Sequence, residues 1–235
     1  MLIDQRILAK LMQVANINKD ERVCEVGTGQ GILTAELCKH AETVVSFEVD
    51  KELFKRAQAE LQFQNLELVN ADLFKTKVKQ QQNFDVFASN LPYSRSRDAF
   101  EWLACQKFKR AIVMVQKEFA EKAAAKPGDK NYRAISALTT YCFKMDKILI
   151  VDGQSFEPQP MVESMVIQLT QINTVTKDTL RNLNILFSKR NRKASTVTAK
   201  VGAAMDFKSK RIDELEADEL IRIAETMQKN VPTIR

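Results

Sequence analysis

The sequence predicts an α/β fold, a doubly wound sheet followed by a small helical domain. Three observations carry this. Apolar runs of four to six residues alternate with helical-period segments up to about residue 125, two further apolar runs flank a turn-rich loop, and from about residue 171 the strand pattern stops. Short buried strands alternating with crossover helices make a mainly parallel sheet. Two late strands joined by a long loop add an antiparallel edge to it.

The elements follow in order. Helical stretches are expected near 4–15, 30–39, 51–63, 97–105 and 116–125, interleaved with strands at 22–26, 43–48, 66–69, 84–89 and 110–115. Lys126-Pro127-Gly128-Asp129-Lys130 is a loop by its turn residues. Beyond it 132–143 reads as a helix, and 146–151 and 162–170 read as strands on either side of the turn-rich stretch 152–160. Segments 177–192, 196–205 and 212–228 have helical composition. The expected domains are therefore 1–170, carrying the sheet, and 171–235, helical.

Composition removes several classes of function. A hydrophobic content of 45% and a charged content of 28% are those of an ordinary globular chain. No run approaches the roughly 18 apolar residues of a membrane span, and Met1-Leu2-Ile3-Asp4-Gln5-Arg6 lacks the basic-then-apolar order of a secretory signal. A cytoplasmic protein without a membrane partner is expected. Cysteines 24, 38, 105 and 142 are isolated and His40 is the single histidine, so the pattern supports neither a metal site nor a disulfide framework. His40 falls at a predicted helix end, which disfavours hydrolysis by a histidine-activated nucleophile.

The net charge of +6 is unevenly spread. Residues 171–211 carry ten Lys/Arg against two Asp/Glu, and residues 212–235 carry three against six. A concentrated basic segment is an electrostatic footprint for phosphates, although it also suits a solvated helix face.

Chemistry concentrates at strand ends. Val23-Cys24-Glu25-Val26 runs into Gly27-Thr28-Gly29-Gln30-Gly31, a turn that lets backbone approach a ligand where open α/β sheets bind nucleotide-like groups. The spacing departs from the dinucleotide fingerprint and no phosphate-loop lysine follows. The next strand ends in Glu48, whose two oxygens can accept both hydroxyl hydrogens of a ribose. The third leads to Asp72, suited to an adenine amino group, and the fourth to Asn90-Leu91-Pro92-Tyr93. Ribose and adenine without phosphate describe S-adenosylmethionine. By itself the Asn-Leu-Pro-Tyr turn is an ordinary exit from a sheet. After three other ligand-suited strand ends it reads as a clamp for an exocyclic amine, with the Asn90 side-chain oxygen and the Leu91 carbonyl accepting its hydrogens. Tyr93 and Phe156 are either stacking platforms for the base or core aromatics.

These residues resemble the rRNA adenine dimethyltransferases, which methylate adjacent adenosines near the 3′ end of small-subunit rRNA. The resemblance rests on Leu2-Ile3-Asp4, Glu25 to Thr34, Glu48-Val49-Asp50, Ala71-Asp72, Asn90 to Tyr93, Gln116-Lys117-Glu118, Phe156 to Ser164 and Phe187 to Lys193. It implies a Rossmann-like class I methyltransferase sheet and S-adenosylmethionine as cofactor. By the same resemblance Leu2, Glu25, Gly27, Gly29, Gly31, Glu48, Val49, Asp72, Leu73 and Asn90 hold the cofactor. Asn90, Leu91, Pro92, Tyr93 and Phe156 are implied at the reaction centre. Lys189, Arg190, Arg192 and Lys193 are expected to contact rRNA in a pre-ribosomal particle, with the protein acting as a monomer.

The sequence departs from the family pattern in three places. Met1 stands where an amino-terminal motif ending at Leu2 has phenylalanine, Ser94-Arg95-Ser96-Arg97 replaces the usual continuation after Tyr93, and Tyr132-Arg133-Ala134 replaces Tyr-Gly-Arg. Arg95 and Arg97 are expected to supply phosphate contacts. Two competing readings are a related methyltransferase acting on one adenosine of large-subunit rRNA, and an assembly factor that binds RNA with little catalysis.

Overall fold

The computed structural model describes residues 4–76, 83–157, 159, 161–200 and 209–228. Strands β1 (Arg22–Val26), β2 (Thr43–Phe47), β3 (Leu66–Val69), β4 (Val86–Asn90), β5 (Arg110–Gln116), β6 (Phe143–Val151) and β7 (Ser164–Gln171) form a seven-stranded sheet in the order β3-β2-β1-β4-β5-β7-β6. The first five run parallel, and β7 pairs antiparallel with β5 from Arg110↔Thr170 to Gln116↔Ser164. The expected doubly wound sheet with a late antiparallel addition is thus the one observed. The order reverses between β1 and β4, so the carboxyl ends of these two strands flank the crevice where such sheets take ligands.

Helices α1 (Gln5–Ala15), α2 (Ile32–His40) and α3 (Lys51–Glu60) precede and connect the first three strands; α4 (Ser96–Leu103) and α5 (Lys117–Ala123) flank β5. Local chemistry sets their ends. The Asp4 carboxylate accepts the Arg6 N–H to cap α1, and Asn16, at φ +41°, closes it. Asp50 caps α3 by accepting from the Glu52 and Leu53 amides. His40 is the last residue of α2.

One face of the sheet packs Val23, Val44, Val86, Ala88, Ile112, Met114 and Val166 against Leu8 and Leu11 of α1 and Leu33 and Leu37 of α2. The intervening residues Phe87, Val113 and Val115 are also fully buried, so the central strands are covered on both faces. That burial explains why they read as unbroken apolar runs instead of alternating ones.

Contacts divide the chain into two compact units. The first comprises residues 1–99, 107–120 and 145–171; the second comprises 100–106, 121–144 and 172–235. Within the second, α6 (Ala134–Cys142), α7 (Lys177–Phe187) and α9 (Ala217–Gln228) pack on one another, joined by α8 (Ala194–Lys200). Asn182 donates its side-chain N–H to the Ala224 carbonyl, Tyr132 lies edge-on to Phe187, and the Tyr132 hydroxyl donates to the Leu215 carbonyl. Helix α7 stops at Phe187, short of the expected 192. Residues 192–194 instead pair main chain with 210–212, where Ala194 N–H donates to Lys210 O and Ile212 N–H to Arg192 O. The helix expected at 196–205 begins at Ala194, and its part beyond Lys200 lies outside the described residues.

Candidate active site

A cavity of about 760 Å³ opens at the carboxyl ends of β1, β2, β3 and β4, within the first unit. The turn after β1 forms its floor. Gly27 and Gly29 line it at φ +84° and +56°, and the Gly27 N–H donates to Phe47 O on β2. A Cβ on Gly27 would sit 3.9 Å from Pro92 Cδ and 4.0 Å from Asn90 O, so the glycine turn and the Asn-Leu-Pro-Tyr turn face each other across a gap one methyl group would fill.

Glu48 forms the next wall. It is 6% exposed, and its two oxygens each accept one main-chain N–H at 2.9 Å, Gly29 to Oε2 and Asp50 to Oε1. A carboxylate has about four acceptor sites, so lone pairs remain on both oxygens. Val49, Asp72, Leu73, Phe74 and Lys75 continue the lining, and Asn90, Leu91, Pro92 and Tyr93 complete it with Phe156. Asn90 is the last residue of β4, and its side-chain amide makes no hydrogen bond to another described residue. The Tyr93 hydroxyl shares a 2.6 Å hydrogen bond with Ser164 Oγ, which fixes the ring. Phe156 is a core residue whose side chain also forms part of the cavity wall.

Other expected residues stand elsewhere. Glu25 is buried below the floor, where Oε2 accepts from Thr34 Oγ1 and Ser46 Oγ at 2.7 Å and Oε1 has no partner among the described residues. Burial pushes its carboxyl up to about 7, the two hydroxyls pull it back, and neighbouring Glu48 raises it further. Gly31 packs on Leu61, whose Cδ1 would lie 2.7 Å from an added Cβ, and does not line the cavity. Leu2 lies outside the described residues. Burial raises the thiols of Cys24 and Cys38, the latter to about 12, which removes thiolate chemistry nearby.

Of the two arginines expected to meet phosphate, Arg97 is exposed and away from the cavity lining, whereas Arg95 lines the cavity and donates to Asp72. Lys189, Arg192 and Lys193 are exposed and Arg190 is half-buried, in the turn between α7 and α8. None makes an ion pair with a described residue, and the strand-like pairing of 192–194 with 210–212 brings Lys210 and Arg211 alongside. Sequence reading missed Leu8 and Leu11 of α1 and Phe74 and Lys75 after Asp72, all of which line the cavity. The apolar stripe on α1 was legible, but nothing in it distinguishes a cavity wall from core.

The geometry has counterparts among known proteins. The model of the ribosomal RNA adenine dimethylase family matches residues 1–229. A probable ribosomal RNA small subunit methyltransferase A from Pyrococcus abyssi is 34% identical over 169 residues, covering 72% of this chain and 62%, less than two thirds, of that protein. A ribosomal RNA small subunit methyltransferase A from Thermotoga maritima is 30% identical over 234 residues, covering 97% of this chain and 83% of that protein. Among solved structures, a dimethyladenosine transferase from Plasmodium falciparum shares the fold with a TM-score of 0.78 over 98% of each chain, at 24% identity. A family match across nearly the whole length, on a sheet whose first four strand ends converge on one cavity, leads to one conclusion: the chain belongs to the ribosomal RNA adenine dimethylase family.

Proposed function

We propose that the chain is an S-adenosylmethionine-dependent rRNA adenine N6-methyltransferase, dimethylating adjacent adenosines of small-subunit rRNA within a pre-ribosomal particle. One observation supports this above the others. Asn90, with its uncommitted amide, shares a cavity with Glu48, whose oxygens both keep lone pairs. An amine clamp and a ribose acceptor then face one space.

The residues present fit the cofactor. Glu48 would hold the ribose hydroxyls, Asp72 and Leu73 the adenine, and the open turn at Gly27 and Gly29 the aminoacyl part. When bound, S-adenosylmethionine supplies a methyl group on a sulfonium, an intrinsically good leaving group, so positioning can provide most of the acceleration. The N6 lone pair of adenine is delocalised into the ring. Acceptance of its two hydrogens by Asn90 Oδ1 and Leu91 O draws them out of plane and aims the lone pair into the cavity. Proline at 92 has no N–H to tie the turn back. Tyr93, held by Ser164, and Phe156 offer ring faces to an unstacked base. Lys189, Arg190, Arg192 and Lys193 would meet rRNA phosphates, giving recognition by shape.

Asn90→Ala tests the assignment. Removing one preorganised acceptor should lower methyl transfer to immature small subunits by about 10²–10³-fold. Cofactor binding should be largely retained. Unchanged turnover would refute the clamp.

A further inference from the structure

Arg95 belongs to the segment where the sequence leaves its family's pattern, and its position does not suit a surface phosphate contact. The side chain turns into the cavity with only a quarter of it exposed. Its Nη2 lies 2.8 and 3.0 Å from the two oxygens of Asp72, its Nη1 lies 3.3 Å from Asp98 Oδ2, and its Cζ lies 5.1 Å from the centre of the Phe74 ring. Two carboxylates and an aromatic face therefore fix the plane of the guanidinium. A lysine, with one compact charge, cannot satisfy all three.

Asp72 is held equally firmly. Its Oδ1 also accepts the Phe74 N–H at 3.0 Å, which sets the carboxylate against its own turn. Lys75 Nζ stands 3.7 Å from Oδ2, beyond hydrogen-bond distance, and a single arginine nitrogen spans both oxygens, so acceptor capacity remains on Oδ2 for one more donor. The Arg95 backbone is equally committed, since its N–H donates to Pro92 O within the 3-10 turn Tyr93–Arg95. One residue thus joins the acid after β3 to the turn that carries the amine clamp.

We infer that Arg95 is a positioning residue for the cofactor's adenine: it aims Asp72 at the exocyclic amine and couples that subsite to the Asn90–Tyr93 turn. The inference rests on reading the cavity as an S-adenosylmethionine site. It makes Arg95 a device of this chain, acting on the cofactor and not on RNA.

Calorimetric titration of S-adenosylhomocysteine, which binds without turnover, into the wild type, Arg95→Gln, Arg95→Lys, Asp72→Asn and the double variant Arg95→Gln/Asp72→Asn tests it. Arg95→Gln and Arg95→Lys should each weaken binding by about tenfold. The double variant should be within about threefold of Asp72→Asn alone, because both residues act through one carboxylate. A general loss of folding would lower affinity in the Asp72→Asn background as well, so the cycle separates positioning from damage. Unchanged or tighter binding by Arg95→Gln, or additive losses, would overturn the inference. So would intact cofactor binding accompanied by weaker, less salt-dependent RNA binding, which would make Arg95 a phosphate contact. Failure of the wild type itself to bind S-adenosylhomocysteine would instead remove the cofactor reading, and this inference with it.

Discussion

Replacing Glu48 by Gln perturbs the cavity in a way whose size follows from the geometry. Each oxygen of Glu48 accepts one main-chain N–H at 2.9 Å, from Gly29 and Asp50, and keeps a lone pair for a ribose hydroxyl. A glutamine keeps one neutral acceptor and presents an NH₂ in place of the other, so one of the two amides faces a donor, and one ribose hydroxyl loses its acceptor while the other keeps only an uncharged one. The second loss falls on the bound state. A hydrogen bond to a charged acceptor contributes roughly 1.5–3 kcal/mol, which is about 10- to 150-fold in affinity. The first loss falls on the fold and should lower the unfolding free energy by about 1–3 kcal/mol, the cost of an unsatisfied buried donor. Titration calorimetry with S-adenosylhomocysteine reads one effect and urea unfolding reads the other. An affinity within threefold of the wild type, beside a clear loss of stability, would refute the ribose assignment and leave Glu48 a structural tie.

Two further predictions concern buried charge. Arg110 donates to both oxygens of Glu21 at 2.9 and 2.7 Å and to the carbonyls of Ala15 and Asn16 at 2.7 Å, closing the end of α1 over β5. The Arg110 guanidinium holds the Glu21 carboxyl down to about 2, so the pair stabilises the fold above about pH 4.5 and loses that contribution as pH falls toward 2. Arg110→Met should cost about 3–5 kcal/mol at pH 7 and clearly less at pH 3 in urea unfolding; equal costs would contradict the pairing. Glu25 shows the opposite sign. Its carboxyl lies above its unfolded value, so ionisation penalises the fold as pH rises from about 4.5 through 7. Relative to the wild type, Glu25→Gln should gain stability between pH 5 and pH 8, by up to about 3 kcal/mol, in thermal or urea unfolding. A difference independent of pH would show that Glu25 is not buried as described.

The positions of the strands along the chain and several of the cavity residues were legible in the sequence because both depend on local pattern. Short apolar runs mark buried strands; Gly27, Glu48 and Asn90 stand at the ends of three of them and Asp72 three residues past the end of another. What was not legible depended on side-chain direction and on tertiary pairing. Gly31 reads as part of the ligand turn, yet Leu61, thirty residues on, takes the space beside it. Arg95 reads as a surface cation, and only the approach of Asp72 and Phe74 turns it inward. The basic residues from Lys189 to Lys193 extend a helical composition. They leave the helix because residues 192–194 find main-chain partners at 210–212. The helix α6, contiguous in sequence with the sheet, packs with α7 and α9 and buries all but Thr140 and Tyr141, so no exposed polar stripe told the sequence which way it would face.

Reverse transcription across small-subunit rRNA, after incubating immature subunits with S-adenosylmethionine and either the wild type or Asn90→Ala, tests the central claim most directly. Two methyl groups on N6 block base pairing, so the wild type should create stops at two adjacent adenosines and Asn90→Ala should not. Absence of stops and of methyl incorporation with wild-type protein that binds S-adenosylhomocysteine would contradict the account, leaving an RNA-binding factor that keeps the cofactor cavity without the reaction.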